Sequence, residues 1–248
     1  MTEEAQRLRA ERDAALRRVE ELSAVQEEFL RAVSHDLRAP LRHVTSYGAL
    51  LGEMLRDLPD PPAQVHEALG FAATMQRSAR RMAAMLDGLQ ALSRAGRAPL
   101  TPVRVDLHAA LLQARAALPV AEAVHWEIAP RMPALHADPA LLAQLLVQLL
   151  DNAVKFSRGV AAPHVSANAQ VAGGRVQLSI ADNGAGFEER CAQGLFGVFQ
   201  RLHREEEYDG VGVGLALCKL IAERHGARIA AHARPGTGCT VTLDWPAG

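Results

Sequence analysis

Several residue types are scarce in this sequence, and each scarcity excludes a class of protein. Aromatic residues make up only 4% of the 248 positions, and the three cysteines lie far apart in the chain. They provide neither a disulfide framework nor a cysteine metal site, so we expect reduced thiols. No uninterrupted apolar run is long enough to cross a bilayer, and the charged N-terminus does not resemble a signal peptide. These features predict a cytoplasmic location and no membrane span in this chain.

The sequence also lacks a large net charge. Lys+Arg number 27 and Asp+Glu number 28, which gives a formal charge of -1 at pH 7. No basic field would therefore attract nucleic acid or an anionic membrane. Lysine occurs only at Lys155 and Lys219, whereas Ala, Leu and Arg are abundant and hydrophobic residues make up 49%. This composition favours a helix-rich protein with two domains.

The stretch AVSHDLRAPLRHVTSYGALL, residues 32–51, contains the first candidate for chemistry. Its apolar residues are spaced by three and four, which is typical of an amphipathic helix that packs on other helices. His35 falls between two of these positions and should face solvent, where a neutral imidazole can act as a nucleophile and Asp36 can hold its tautomer. Pro40 removes a hydrogen-bond donor and should bend the helix. The alternative is an ordinary surface histidine followed by a capping aspartate.

Two helices are predicted around this stretch. Residues 1–31 form an imperfect heptad pattern without Gly or Pro, which predicts a coiled-coil connector continuous with the His35 helix, or alternatively a solvated single helix. DLPDPP at 57–62 predicts a turn, and a second apolar stripe runs from there to 92. Two antiparallel helices bury little surface alone, so we expect them to pair with a second copy as a four-helix bundle. The run at 96–102 predicts a domain boundary.

From residue 103 the pattern changes to strands alternating with helices. Asp138 and Pro139 are typical of a helix N-cap and first helical position, and the helix that follows is apolar nearly all round. Alternating segments joined at 173–174 and at 235–238 predict two hairpins. This half is best described as helices on one face of a mixed, mainly antiparallel sheet.

Three short motifs in this half can together form one nucleotide pocket. Asp182 closes a strand before a glycine-rich turn, and a buried carboxylate there can accept a hydrogen bond from an amino group of a base. GVGVG at 210–214 precedes a helix whose N-terminal N–H groups favour phosphate. Asn152 and Lys155 share one helix face and suit Mg²⁺ and phosphate. Individually, the first motif could be an ordinary turn and Asn152 a satisfied core amide.

Taken in order, the motifs resemble those of sensor histidine kinases along essentially the whole chain. SHDLRAPL resembles the H box, LLDNAVKFS the N box, IADNGAGF the first G box, LFGVFQRLHR the F box and GVGVGLALCKLIAERHG the second G box. The chain is similar in particular to the kinase halves of bacterial phytochromes. The resemblance implies an α+β protein, in which an antiparallel helical hairpin dimerises into a four-helix bundle. An α/β sandwich ATP-binding domain of the histidine kinase, DNA gyrase and Hsp90 type would follow.

The implied domains are a connector helix at 1–31, a dimerisation and histidine phosphotransfer domain at 32–96, and a catalytic ATP-binding domain at 97–248. The implied activity is that of an ATP-dependent protein-histidine kinase. His35 would receive the γ-phosphoryl group of ATP with help from Asp36, and would pass it to an aspartate of a response regulator. The implied partners are a second copy, the response regulator, and an upstream sensor domain or sensor protein.

The resemblance also implies roles for nucleotide-site residues. Asn152 would hold Mg²⁺ and Asp182 would recognise adenine. The other residues implied to contact the nucleotide are Lys155, Phe156, Gly184, Gly186, Arg201, Gly212, Val213, Gly214 and Leu215. Residues from about 195 to 210 would form a mobile lid, anchored by Phe196 and Phe199, and a hinge near 96–102 would bring the two domains together.

Two positions depart from the family pattern. Gln148 stands where a second N-box asparagine is common, and the longer amide could alter Mg²⁺ affinity. Ala39 stands where many relatives have Thr or Asn, and its side chain cannot orient a hydrolytic water. Two alternatives to a kinase therefore stay open: a response-regulator phosphatase, which Ala39 disfavours, and a dimeric signalling scaffold that binds nucleotide without turnover.

Overall fold

The computed structural model describes residues 3–58, 63–119, 124–202 and 208–247, with side chains in the first helix mainly from residue 32 onward. The chain divides into two compact units, Met1–Ser93 and Arg94–Gly248. The predicted turn at 57–62 lies largely outside the described residues. No helix among those described is long and apolar enough to cross a membrane.

The first unit is a pair of long helices. Helix α1 spans Glu3–Arg56 without interruption, so the predicted continuity of the connector with the His35 helix is confirmed, and the helix continues through Pro40. Helix α2 spans Ala63–Arg97. Small residues allow close packing between the two, since a Cβ at Gly48 would lie 3.0 Å from the Gln76 side chain.

The predicted apolar seam of α1 lies on two sides of the helix. The positions nearest α2 are the buried glycines Gly48 and Gly52. Three leucine or valine side chains at seven-residue spacing on α1 are instead 37–48% exposed, namely Leu37, Val44 and Leu51, and Leu58, just beyond the end of α1, is 44% exposed. The described part of the chain leaves more than a third of each side chain in this second stripe exposed. Helix α2 also exposes large apolar side chains, at Phe71, Met75 and Met82.

The second unit is a mixed sheet with helices. Its strands are β1 (Val103–Val105), β2 (His125–Ile128), β3 (Leu135–Ala137), β4 (His164–Ala172), β5 (Arg175–Asp182), β6 (Arg228–Arg234) and β7 (Gly238–Pro246). Its helices are α3 (Leu107–Ala116), α4 (Pro139–Ser157), α5 (Gly214–Arg224) and a 3₁₀ helix at Glu189–Gly194. Strands β1 and β3 form an antiparallel pair, and the larger sheet has the order β2-β4-β5-β7-β6. Only β2 and β4 are parallel in it, so the predicted mixed, mainly antiparallel sheet is confirmed.

The core of this unit lies between α4 and the sheet. Six leucines of α4 are buried, namely Leu141, Leu142, Leu145, Leu146, Leu149 and Leu150. On β5 the side chains of Val176, Leu178 and Ile180 alternate towards the same core. A helix that is apolar nearly all round can be buried on most sides, and apart from the half-buried Gln144 and Gln148 the polar residues of α4 lie at its C-terminal end. That end is the part of α4 that reaches the candidate site.

Asp138 fixes the other end of α4, as the sequence predicts. Its Oδ1 accepts hydrogen bonds from the N–H groups of Ala140 and Leu141, both at 3.1 Å. Its Oδ2 accepts from the N–H of Thr101 at 3.2 Å and from the hydroxyl at 2.9 Å. The bond from Leu141, above all, lowers the pKa of this carboxyl. Asp138 is thus both the cap of a core helix and the anchor of the segment that leaves α2.

Candidate functional site

His35 projects into solvent from α1. Its side chain is 86% exposed, and Nδ1 lies 3.1 Å from Oδ1 of Asp36. The preceding residue, Ser34, is buried, and neighbouring helical residues differ by about 100° in direction. If the proton resides on Nδ1, the carboxylate accepts it in a hydrogen bond and the lone pair of Nε2 faces solvent. The geometry therefore favours Nε2 as a nucleophile.

Arg38, one turn beyond His35, ties this part of α1 to α2. Its Nη2 donates to Asp87 at 2.6 Å and to Gln90 at 2.7 Å. A guanidinium with two acceptors on the other helix fixes the rotation of α1 near the histidine.

Asp182 lies at the end of β5 and is oriented by the backbone. Its Oδ1 accepts from the N–H of Gly184 at 2.9 Å and from the N–H of Cys239 at 3.3 Å. Among the described residues, no group hydrogen-bonds to Oδ2. Burial raises the pKa of this carboxyl to about 6, although the two N–H donors act against that shift. Asp182 is therefore a carboxylate with one fixed oxygen and one oxygen available to a ligand.

Glycine is required in the loop after Asp182 because other backbone segments press against it. A Cβ at Gly184 would overlap the carbonyl oxygen of Phe156, at the end of α4. A Cβ at Gly186, whose φ is +61°, would overlap the carbonyl oxygen of Arg234 at the end of β6. The loop is thus packed between α4 and the β6–β7 turn, with little room for side chains.

Asn152 and Lys155 meet at the C-terminal end of α4. The Lys155 Nζ donates to Oδ1 of Asn152 at 3.1 Å and lies 4.5 Å from the centre of the Phe156 ring. Burial lowers the pKa of this ammonium group, and the charge of Asp151 partly opposes the shift. The ring centres of Phe156 and Tyr208 are 4.9 Å apart, and Nη2 of Arg201 donates to the Tyr208 carbonyl oxygen at 2.7 Å. The Lys155 ammonium group and the Asn152 amide oxygen thus lie next to the aromatic rings of Phe156 and Tyr208.

The glycine-rich segment before α5 adopts a left-handed backbone. Gly212 has φ +74°, and a Cβ there would lie 2.6 Å from the carbonyl oxygen of Gln200. Its own carbonyl accepts from the N–H of Phe199 at 2.8 Å, and Phe199 has φ +62°, which is uncommon for a side-chain-bearing residue. Val213, at the N-cap position of α5, makes no side-chain cap hydrogen bond. The first N–H groups of α5 are therefore free of a side-chain cap, as a phosphate cradle requires.

These elements converge on one place. A Cβ at Gly210 would lie 3.5 Å from the Lys155 Nζ, and one at Gly214 would lie 2.5 Å from Oε1 of Gln148 and 3.9 Å from Nδ2 of Asn152. The loop after Asp182 contacts α4 as well, through Gly184. The end of β5, the end of α4 and the start of α5 thus form one site, whereas His35 and Asp36 belong to the other unit. Phe196 packs on a separate buried cluster with Phe187.

Two contacts in the site were not predicted from the sequence. Cys239 supplies a backbone N–H to Asp182 because β7 pairs with β5 in the register that places these residues opposite each other. Tyr208 reaches Phe156 from the segment before the glycines. The hairpin at 235–238 was the signal that could have located the first contact, whereas nothing in the sequence pattern pointed to the second.

The family follows from comparison with known proteins. Residues 25–98 match the His Kinase A (phospho-acceptor) domain, and residues 137–248 match the histidine kinase-, DNA gyrase B- and HSP90-like ATPase domain. The chain belongs to the histidine kinases, with a phospho-acceptor domain followed by an ATPase domain. Its similarity to the catalytic region of sensor histidine kinases, expected from the motifs, is confirmed.

Its relatives include a phytochrome and a sensor protein. Cyanobacterial phytochrome A of Nostoc sp. is 33% identical over 236 residues, which cover 93% of this chain and 30% of the phytochrome. Alginate biosynthesis sensor protein KinB of Pseudomonas aeruginosa is 32% identical over 229 residues, which cover 90% of this chain and 37% of that protein. The chain thus spans roughly a third of the length of these relatives.

Solved structures share the fold. Full-length ShkA in complex with AMPPNP aligns with a TM-score of 0.60 and 25% identity, over 88% of this chain and 45% of that one. The Acinetobacter baumannii histidine kinase AdeS aligns with a TM-score of 0.58 and 20% identity, over 86% of this chain and 98% of that one. The expected fold, a helical hairpin followed by an α/β ATPase domain, is confirmed.

Proposed function

We propose that this chain is the output module of a two-component sensor kinase. It transfers the γ-phosphoryl group of ATP to His35 and then to an aspartate of a response regulator. The observation that carries the proposal is the geometry of Asp182, whose Oδ2 is available while two N–H groups fix Oδ1. A carboxylate presented in this way can accept a hydrogen bond from the exocyclic amine of adenine. The matched ATPase domain supports the same ligand.

The proposed site residues have complementary roles. Asp182 binds the adenine amine, and the backbone of Gly184 and Gly186 lines the adenine pocket. The other residues proposed to contact the nucleotide are Asn152, Lys155, Phe156, Arg201, Gly212, Val213, Gly214 and Leu215. Their cationic groups and free N–H groups neutralise phosphate charge, which is the main protein contribution to phosphoryl transfer.

The donor set fits a magnesium ion that is held mainly by the nucleotide. Asn152 offers an amide oxygen, a ligand type that Mg²⁺ accepts, and Lys155 occupies that oxygen in this structure. Among the described residues, no group of three or more His, Cys, Asp or Glu side chains could form a protein cage for a metal. Magnesium commonly binds through one or two protein oxygens and substrate phosphates. Bound there, it would neutralise charge on the phosphates.

At His35 the transfer is a displacement at phosphorus. The Nε2 lone pair forms a bond to the γ-phosphorus, the bond to the β–γ bridging oxygen breaks, and ADP leaves with that electron pair. Asp36 accepts the hydrogen bond of Nδ1–H throughout and can take its proton once the ring becomes positively charged. The exposure of both side chains leaves space for the nucleotide and, afterwards, for the regulator domain.

The exposed apolar stripe supports pairing with a second copy. Leu37, Val44 and Leu51 repeat every seven residues along α1, as in a helical bundle interface, and large apolar side chains on α2 are also exposed. We propose a homodimer that forms a four-helix bundle, with residues 1–31 as a coiled-coil connector to an upstream sensor. We also propose boundaries at 32 and 97 for the phosphotransfer and ATP-binding domains, and a cytoplasmic location.

Labelling with γ-labelled ATP and Mg²⁺ tests the proposal. Wild type should acquire acid-labile phosphate, whereas His35→Gln and Asn152→Ala should lose at least 95% of it. His43→Gln is the matched control, because His43 lies on the same helix without an adjacent Asp, and it should label normally. Label that persists in His35→Gln would overturn the assignment. Nucleotide binding without any label would favour the scaffold alternative, to which Gln148 points.

The phosphatase alternative needs its own measurement. A phosphorylated regulator should keep its phosphate for a similar time with and without this chain, because Ala39 offers no group to orient water. Rapid loss of regulator phosphate in its presence would make the phosphatase function the leading one.

A further inference from the structure

A side chain from α5 caps the C-terminal end of α2. The last carbonyl groups of a helix have no partners within the helix, and α2 ends at Arg97. Arg224, the last residue of α5, donates from Nη1 to the carbonyl of Ala95 and from Nη2 to that of Ala98, the latter at 2.6 Å. A guanidinium at this position also complements the negative end of the helix dipole.

Further contacts fasten the same segment to the rest of the second unit. The two hydrogen bonds from Thr101 to Asp138 hold the chain just beyond the cap. The N–H of Asp138 donates to Nε2 of His225 at 3.0 Å, and His225 follows Arg224 directly. The side chain of Leu220 lies 3.8 Å from where a Cβ of Gly96 would be. The segment 95–101 is therefore held by α5 at Ala95 and Ala98, and by Asp138 at the start of α4 through Thr101.

The division between the two units lies upstream of these contacts. It falls between Ser93 and Arg94, inside the continuous helix α2. The sequence placed a hinge at 96–102, yet those residues carry the bonds just described. Motion there would break charge-assisted hydrogen bonds and leave helix carbonyls without partners, whereas bending upstream of Ala95 would leave them all intact.

We propose that Arg224 is a positioning residue for phosphoryl transfer. By capping α2 it makes the last turn of that helix part of the ATP-binding unit, so the movement that brings nucleotide to His35 bends α2 on the N-terminal side of Ala95. The opposite end of α5 begins at Gly214, within the nucleotide site, so one 11-residue helix connects the cap to the phosphate cradle. This inference rests on the proposed kinase activity.

Amide hydrogen exchange tests the cap without requiring catalysis. In the full chain, Arg224→Ala should make peptides covering 94–101 exchange at least tenfold faster than in wild type, while peptides from α4 stay unchanged. Arg228→Ala is the matched control, because Arg228 is exposed on β6, and it should leave exchange at 94–101 unaltered. Unchanged protection of 94–101 in Arg224→Ala would refute the cap.

Labelling kinetics test the positioning role. Arg224→Ala should lower the maximal rate of His35 labelling at saturating ATP by fivefold or more, with the KM for ATP and the affinity for a non-hydrolysable analogue within twofold of wild type. Arg224→Lys keeps the charge and should recover most of the rate. The proposal would be overturned if Arg224→Ala lost nucleotide affinity in proportion to its loss of labelling rate. It would also be overturned if amide exchange at 94–101 became faster while the labelling rate stayed unaltered. Absence of labelling in wild type would refute the kinase function instead, and exchange would still decide the cap.

Discussion

Asp182 shows how the backbone alone can prepare one side chain for a ligand. Two N–H groups, from residues that are far apart in sequence, fix Oδ1, and burial raises the pKa of the carboxyl to about 6. A raised carboxyl pKa means that the folded protein binds this proton more tightly than the unfolded chain does. The free energy of unfolding therefore falls, through this group, as the pH rises from about 4 to 6.

The same group should make nucleotide binding depend on pH. Ionised Asp182 accepts a stronger hydrogen bond than the neutral acid, so affinity for an ATP analogue should weaken by about tenfold between pH 7.5 and pH 5. Calorimetric titration across that range would measure the effect. Asp182→Asn should bind weakly at every pH and lose this dependence. An equally steep dependence in the variant would show that another group titrates.

Individual site residues were predictable only where a motif marks them. Asn152, Lys155 and Asp182 stand in short patterns whose residue types already indicate amide, cationic and carboxylate chemistry. Cys239 was not identifiable in this way, because it contributes its N–H group and not its side chain. Its role depends on strand register, which a single sequence specifies only through turn geometry and the pattern of burial.

At the scale of elements, the loop after β5 depends on close backbone contacts. Gly186 and Gly236 both have positive φ, at +61° and +74°, but only Gly186 is pressed against another carbonyl. Alanine substitutions at the two glycines therefore distinguish the free-energy cost of a left-handed backbone from the free-energy cost of steric overlap.

Alanine at these two positions should have unequal effects. Gly236→Ala should lower the free energy of unfolding by about 1–2 kcal/mol, the strain of a left-handed residue. Gly186→Ala should lower it by about 4 kcal/mol or more, because the methyl group would overlap the Arg234 carbonyl. Urea denaturation would measure both. Similar values for the two variants would contradict the close approach.

Helix caps provide a second comparison between elements. Asp138 caps α4 and also holds Thr101, whereas the exposed Asp106 caps α3 through one bond, to the Ala109 N–H at 3.1 Å. Asp138→Ala should lower the free energy of unfolding by about 2 kcal/mol, and Asp106→Ala by about 1 kcal/mol. Because hydrogen bonds lower the pKa of Asp138, its contribution is present above pH 4 and is lost on further acidification. If the two variants lost equal amounts of unfolding free energy at pH 7, the larger contribution of the Asp138 cap would be contradicted.

Most elements were predictable, because long apolar periods and turn residues mark them. The 19-residue α4 with its Asp–Pro start and the hairpin at 173–174 are examples. Strand β3 and the 3₁₀ helix were missed. A three-residue strand such as β3 is too short to show a period, and it forms by pairing with β1, a contact about 30 residues away in the chain.

At the scale of the whole molecule, the uncovered stripe on α1 should determine oligomeric state. Val44→Glu would place a charge in the proposed dimer interface, where desolvation is costly, and should weaken dimerisation by 100-fold or more. Ser46→Glu, on another exposed side of α1, is the matched control and should leave dimerisation unchanged. Sedimentation equilibrium would measure both. A monomeric wild type would contradict the interface.

The sequence predicted the order of the two units, because helical heptads give way to alternating strands after residue 102. It placed the domain boundary at 96–102, and the two compact units divide a few residues earlier, after Ser93. That division falls inside a helix whose periodicity continues across it, so no compositional change marks the position.

The scarcity of lysine has a practical consequence for chemical probes. The side chain of Lys219 is 49% exposed, whereas Lys155 is partly buried against Asn152 and the Phe156 ring. Of the two lysines, an amine-directed acylating reagent would thus modify Lys219 faster than Lys155. That attachment point could carry a fluorophore or tether the molecule to a sensor chip, and slow acylation of the second lysine would serve as a footprint of ligand occupancy.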